Sequence, residues 1–273
     1  MSKERLDLLI VERGLARSRS VAQRLIYAGE VRVNGALVDK PGTQVFSNAE
    51  IVLAAKPPFV SRGGEKLAAA LTRFPISVVD KVAADIGAST GGFTDCLLQQ
   101  GVRRVYAIDV GYGQLAWSLR QDERVVVMER VNARYLETLP ELVDLIVSDV
   151  AFISLRLIYA TAVAWLKPAG VVVSLIKPQF EAGPENVGKG GVVRDPAVHR
   201  AVLEDVTSAM AALGLTLLGL MASPLVGPAG NVEFLGWWQL VPQAATEETT
   251  VSTEHAVWIS SALEESEALR EST

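Results

Sequence analysis

Residues 82–98 read VAADIGASTGGFTDCLL, and the fold turns on them. Val82–Ile86 is an apolar run interrupted only by Asp85, the pattern of a strand buried on both faces. Gly87-Ala-Ser-Thr-Gly91-Gly92 then turns the chain, and Phe93–Gln99 reads as a helix. Glycines at such a turn let the backbone approach a ligand without Cβ clashes. Working outward, further strands are expected at Arg104–Ile108, Val125–Met128, Leu142–Ser148, Gly170–Ile176, Leu215–Ala222 and Val232–Leu240. Helices are expected near Gly64–Phe74, Gln114–Leu119, Leu155–Leu166 and Ala197–Leu213. Apolar strands alternating with helices predict an α/β fold, an open and mainly parallel sheet covered on both faces. Functional groups then gather beyond the carboxyl ends of its strands.

The turn itself points to a ligand. The dinucleotide fingerprint is G-x-G-x-x-G, whereas this turn is spaced G-x-x-x-G-G with an acid before the first glycine. A pyrophosphate is repelled by Asp85; a ligand bearing a sulfonium and an ammonium is attracted. Asp109 ends the second strand, where a carboxylate accepts the hydroxyls of a ribose. S-adenosylmethionine satisfies both demands and is the expected cofactor. Its candidate contacts are Asp85, Gly87, Ser89, Thr90, Gly91, Gly92, Phe93 and Asp109. Asn132, after the third strand, offers an amide to an adenine edge, although loop asparagines also serve turns. Asp149 completes the set.

Four polar groups fall where they can converge. Asp149 ends VDLIVSD, and Lys177 ends VVVSLIK, where Pro178 stops the strand. Glu233 opens VEFLGWWQL, a strand expected to run antiparallel, and Lys66 sits in SRGGEKL at the first turn of a helix. Each has an ordinary explanation alone: a helix cap, a strand exit, an edge charge, a solvated lysine. Together they suit methyl transfer, which needs the attacking oxygen about 3–3.5 Å from the methyl group and help in losing its proton. No metal is required. The glycine-rich loop Pro178–Pro196 follows Lys177 and reads as a substrate-facing lid rather than a bare connector.

Composition bounds the rest. The chain has 273 residues, 49% apolar, enough for one large domain or a large and a small one. One cysteine, Cys96, excludes a disulfide framework, and two histidines make a zinc site improbable. The start MSKERLDLLIVERG has no apolar signal-peptide core, and a cytoplasmic protein is expected. The uncharged span Val206–Val232 reads as a helix end, a Gly214 cap and a strand, not as a membrane span. The net charge of −5 hides a gradient. Residues 1–60 carry nine Lys/Arg against six Asp/Glu; residues 241–273 carry one against seven. The basic front end suits a polyanion.

That front end reads as a module of residues 1–55. Leu6, Leu8, Leu9, Val11 and Leu15 suit a first helix. Ser18 caps a second one that turns Val21, Ala22, Leu25 and Ile26 inward. Short strands follow at Val31–Val33, Leu37–Val38 and Glu50–Leu53, with an Asn34-Gly35 hairpin turn. Residues 56–62 read as a linker around paired prolines. Residues 63–242 form the α/β domain, and 243–273 an acidic tail, loose or forming one helix.

The stretch RLDLLIVERGLARSRSVAQRLIYAGEVRVNG resembles an S4 domain, a small α+β RNA-binding module. The resemblance implies RNA contacts by Arg5, Arg17, Arg19 and Arg24, and by Arg62 beyond the module. The segments VSRGGEKL, SDVAFISL, LIKPQFEAG and SPLVGPAGNVEF, with the glycine turn, resemble the FtsJ/RrmJ class of ribose 2′-O-methyltransferases. That class uses a Lys-Asp-Lys-Glu tetrad, which falls here on Lys66, Asp149, Lys177 and Glu233. With the S4 module, residues 5–240 resemble the TlyA family, known first as haemolysins. The resemblance implies an S-adenosylmethionine-dependent, Rossmann-like ribosomal RNA cytidine-2′-O-methyltransferase acting on ribosomal subunits, with a monomer favoured. Two lysines near one hydroxyl depress each other's pKa, so Lys177 is expected to accept the hydroxyl proton or to orient its lone pair. Two alternatives stand beside it: an RNA-binding protein with a vestigial methyltransferase domain, and a membrane-acting haemolysin. A dehydrogenase lacks its fingerprint here. An amino-group methyltransferase lacks its prolines, because Asp149-Val150-Ala151-Phe152 occupies their place.

Overall fold

The computed structural model describes residues 2–53, 57–241 and 253–271. The chain divides into two units, Met1–Pro58 and Phe59–Thr273.

The first unit contains β1 (Lys3–Arg5), α1 (Leu6–Glu12), α2 (Arg19–Tyr27), β2 (Val31–Val33), β3 (Ala36–Leu37), β4 (Gln44–Phe46) and β5 (Ile51–Leu53). Leu6, Leu9 and Ile10 set the inner face of α1 at i, i+3, i+4 spacing. Leu8 lies off that face and is exposed, while Leu15, expected in the helix, lies past its end. Ser18 caps α2, its Oγ accepting the Val21 amide at 3.4 Å. Asn34 and Gly35 both take positive φ and close the β2–β3 hairpin. The β1–β4 pair is unforeseen, because KER is too short and too charged to show strand periodicity.

Two of the arginines expected to contact RNA have a second task. Asp7 is fully buried and accepts Arg5 Nε and Nη2 at 3.0 Å, and Arg19 Nε and Gln23 Nε2 at 2.9 Å. The Arg5 guanidinium, with Gln23 and Arg19, holds this carboxyl well below its ordinary value despite burial. The unfolded group therefore binds protons more readily than the folded one. Its stabilisation is complete above the unfolded pKa of about 3.9 and is lost as pH falls through and below it. Asp7→Asn is expected to destabilise the first unit by about 1–3 kcal/mol at neutral pH. In denaturant titrations that deficit should shrink in acid; a deficit independent of pH would refute the ion-pair origin.

The second unit runs through α3 (Gly63–Arg73), β6 (Val82–Ile86), α4 (Gly92–Gln99), β7 (Arg104–Asp109), α5 (Trp117–Arg120), β8 (Val125–Glu129), β9 (Val143–Ser148), α6 (Leu155–Ala162), β10 (Leu166–Ile176), α7 (Pro178–Glu181), α8 (Pro196–Ala212), β11 (Leu215–Ala222), β12 (Phe234–Leu240) and α9 (Thr253–Glu271). The strands form one sheet in the order β11-β12-β10-β9-β6-β7-β8. The β10-β9-β6-β7-β8 pairs are parallel, and β12 runs antiparallel to β10 and β11. One core packs α6, α8 and α9 on the sheet around Tyr159, Trp165, Leu203 and Phe234. The other packs α3 and α4 around Leu67, Phe93, Leu97 and Leu235.

Several boundaries move. β12 opens at Phe234, leaving Glu233 just ahead of it. The expected helix at Gln114–Leu119 shortens to α5. Residues 59–62, read as linker, belong to the second unit: the Val60 amide donates to Asp95 Oδ2 at 2.8 Å, and the Phe59 side chain packs against Gly64. Residues 54–56, 242–252 and 272–273 lie outside the described residues, while 253–271 of the tail form α9. Among the described residues no helix is long and apolar enough to cross a membrane.

Candidate active site

The glycine turn lies at the carboxyl end of β6. Gly87 has φ +81°, and a Cβ there would come within 2.6 Å of the Asp149 carbonyl oxygen. Ser89 and Gly91 also take positive φ. The amides of Gly87 and Ala88 donate to the Ile108 carbonyl at 2.9 and 3.1 Å, tying the turn to β7. The turn frames a cavity of about 630 Å³ whose wall includes Ser61, Gly63, Asn132, Phe152 and Lys177.

Of the expected cofactor contacts, Gly87, Ser89, Thr90, Gly92, Phe93, Asp109, Asn132 and Asp149 line this cavity. Asp109 is braced by the Ser89 amide at 2.8 Å and the Gly111 amide at 2.7 Å. Asn132 serves a turn as well, its Oδ1 accepting the Arg134 amide at 3.0 Å. Gly91 and Asp85 are absent from the wall. Gly91 caps α4 with φ +97°, where a Cβ would collide with Leu119. Asp85 is fully buried, like every residue of β6, and alternation along the strand turns its side chain toward α4. There Oδ2 accepts the Thr94 hydroxyl at 2.6 Å, and Oδ1 has no partner. Burial pushes this carboxyl up to about 7. The direct contact expected of Asp85 is thus replaced by a role beneath the turn.

Lys66, Asp149, Lys177 and Glu233 form two ion pairs. Lys177 Nζ lies 2.5 Å from Asp149 Oδ1, and both residues line the cavity. β9 and β10 are parallel neighbours with Ser148 opposite Ser174, which sets the two strand ends side by side. Lys66 Nζ lies 2.5 Å from Glu233 Oε2, and both side chains are buried. α3 bridges the pairs: Gly63, three residues before Lys66, has Asp149 Oδ2 within 3.7 Å of its would-be Cβ. Each ammonium has its own carboxylate, so the repulsion expected between the lysines is offset locally.

Supporting groups were not legible as a set. Ser148, Ser174 and Tyr159 form a buried cluster just below Asp149 and Lys177. Burial holds the Tyr159 phenol up at about 12, so it is a neutral hydrogen-bonding group. The signal available was a serine in two otherwise apolar strands. Glu181 of α7 accepts the Ser154 hydroxyl at 2.6 Å and the Leu155 amide at 2.8 Å. It therefore ties the segment after Lys177 to the segment after Asp149. Phe152, between them, is 90% exposed with φ +62°, and its ring centroid is 5.0 Å from that of Phe180. The loop after α7 is folded, with a short helical turn at Pro184–Asn186 and a Gly188–Val192 bridge. Arg17, Arg24 and Arg62 are exposed.

Comparison with known proteins agrees with this architecture. Residues 59–240 match the FtsJ-like methyltransferase family, and residues 4–51 match the S4 domain. Bacillus subtilis YqxC, provisionally named an rRNA methyltransferase, is 53% identical over 240 residues, 85% of this chain and 84% of that one. The 16S/23S rRNA (cytidine-2′-O)-methyltransferase TlyA of Mycobacterium tuberculosis is 47% identical over 86% of this chain and 89% of its own. A solved structure from Streptococcus thermophilus, provisionally named a hemolysin, superposes with TM-score 0.74 at 43% identity and 99% coverage of both chains. A glycine-turned α/β sheet with an S4 module ahead of it, matched over most of its length, places the chain in the FtsJ-like methyltransferase family.

Proposed function

We propose that the protein methylates the 2′-hydroxyl of a cytidine ribose in ribosomal RNA, with S-adenosylmethionine as donor. The observation that carries this reading is the Asp149–Lys177 pair on the wall of the glycine-framed cavity. Support comes from the name of the Mycobacterium tuberculosis relative, which specifies that chemistry.

The cavity suits the cofactor. Its volume falls in the range of small-molecule sites, about 300–1,000 Å³. Gly87 packs so closely on the Asp149 backbone that a Cβ would clash, which fixes the shape of the turn, and Asp109 lines the space. Asp109 would hold the ribose hydroxyls, Asn132 the adenine edge, and Asp149 the cationic end. When bound, the cofactor supplies an electrophilic methyl group on a sulfonium. Gly87→Ala is expected to weaken S-adenosylmethionine binding at least tenfold by calorimetry, because the methyl group meets fixed backbone at a positive φ. Unchanged affinity would place the cofactor elsewhere.

The residues then divide the work. Lys177 directs Nζ at the 2′-oxygen; with one ammonium proton passed to Asp149, the neutral amine takes the hydroxyl proton. Lys66 and Glu233 fix the ribose from the buried side. Phe152 and Phe180 offer ring faces to the base, and such stacking contributes about 1–3 kcal/mol per base. The S4 unit supplies the phosphate contacts through Arg17 and Arg24, with Arg5 and Arg19 contributing what Asp7 leaves available. Arg62 adds one from the second unit. This chemistry sets the protein in the cytoplasm with the ribosomal subunits.

The deciding experiment incubates purified protein with labelled S-adenosylmethionine and unmodified ribosomal subunits or naked ribosomal RNA. Label should map to a cytidine 2′-oxygen. Absence of label from every ribosomal RNA would overturn the proposal.

A further inference from the structure

The helix α9 lies beyond the matched family region, which ends at residue 240. It is anchored in the core by Ile259, Ala262 and Leu263. Two of its residues, Glu265 and Arg270, also make polar contacts that anchoring does not require. Glu265 Oε2 accepts the Ala222 amide at 3.0 Å, at the end of β11. Arg270, the single Lys/Arg of residues 241–273, reaches the loop that follows Lys177. Its Nη1 donates to the Arg194 carbonyl at 3.0 Å, and its Nη2 lies 3.5 Å from His199 Nδ1.

His199 passes this contact inward. It is 1% exposed, and its Nε2 lies 3.2 Å from the Val193 carbonyl. A guanidinium only donates, so Nδ1 accepts and Nε2 carries the hydrogen given to Val193. The contacts thus select one neutral tautomer, and burial together with Arg270 lowers the imidazole pKa in agreement. The Val193 amide then donates to Asn231 Oδ1 at 3.0 Å, and Asn231 Nδ2 donates to the Gly191 carbonyl at 2.8 Å. Asn231 is buried and stands two residues before Glu233. The Glu233 carbonyl accepts the Ser223 amide at 2.8 Å, one residue past the amide that Glu265 holds.

We infer that α9 belongs to the catalytic apparatus. Arg270 and His199 latch the 183–195 loop, and Asn231 couples that loop to the backbone presenting Glu233. The three are positioning residues, and only the purpose of the latch rests on the function proposed above. They fix the loop that follows α7 without touching the nucleoside cavity.

The test uses the full chain carrying Arg270→Ala, with Arg200→Ala as control, since Arg200 joins α8 to α9 through Ser260 at 3.4 Å and does not reach the loop. Amide hydrogen exchange across residues 183–195 should accelerate at least tenfold in Arg270→Ala and stay at the parental rate in Arg200→Ala. In Arg270→Ala, kcat on ribosomal RNA should fall about tenfold, because small displacements near the chemistry are costly. S-adenosylmethionine affinity and Tm should stay near the parental values, and Arg270→Lys should recover part of the rate. Unchanged loop exchange overturns the latch. A loosened loop with unchanged kcat and KM overturns its catalytic purpose. If the parent chain methylates no ribosomal RNA, the proposed function falls, and the exchange result still decides the latch.

Discussion

Lys177→Ala is expected to lower methyl transfer to RNA by about 10²–10⁴-fold, the contribution typical of a positioned acid–base group. S-adenosylmethionine should bind with unchanged affinity, because the glycine turn, Asp109 and Asn132 line the cavity independently of Nζ. The fold should tolerate the change: the Asp149 side chain remains 24% exposed and can be hydrated once its partner is gone. Single-turnover rates at saturating cofactor, set beside calorimetric affinities, separate the two effects. Near-parental turnover would remove Lys177 from the chemistry.

Lys66→Ala should act on both stability and activity. The Glu233 side chain is 3% exposed, so losing Lys66 strands a carboxylate in the protein interior. Breaking a buried pair on one side costs about 3–5 kcal/mol. For a unit of this size that lowers Tm by roughly 10 °C. The double variant Lys66→Met/Glu233→Gln removes both charges and should recover most of the stability while staying inactive. Recovery of activity along with stability would show the pair to be structural only. No recovery of stability would show that the lysine stem, rather than its charge, fills the site.

The sheet was legible because its strands are apolar runs closed by glycines, prolines or acids, as at Gly87 and Pro178. The sequence positions of Asp149 and Lys177 pointed to one edge because parallel strands end together. What sequence could not show was side-chain direction at single positions. Asp85 occupies the expected strand end, yet its carboxylate faces Thr94 and not the cavity. Arg5 and Arg19 read only as RNA contacts because nothing local marks Asp7 as buried. The His199–Arg270 contact spans 71 residues, beyond any local periodicity. The tail looked least informative because its acids dominate its composition; the one basic residue carries its contact to the loop that follows α7.

The Lys66–Glu233 pair has a consequence for the order of assembly. Its partners stand 167 residues apart, and Glu233 immediately precedes the strand that inserts between β10 and β11. A growing chain leaving the ribosome can shape the glycine turn and the Asp149–Lys177 edge well before β12 is made. Until then Lys66 lacks its carboxylate, and a row of β10 backbone groups stays open. Such distant closures are slow to form and late to be rewarded. The buried Lys66–Glu233 pair therefore closes only after the glycine turn and the Asp149–Lys177 edge have been made.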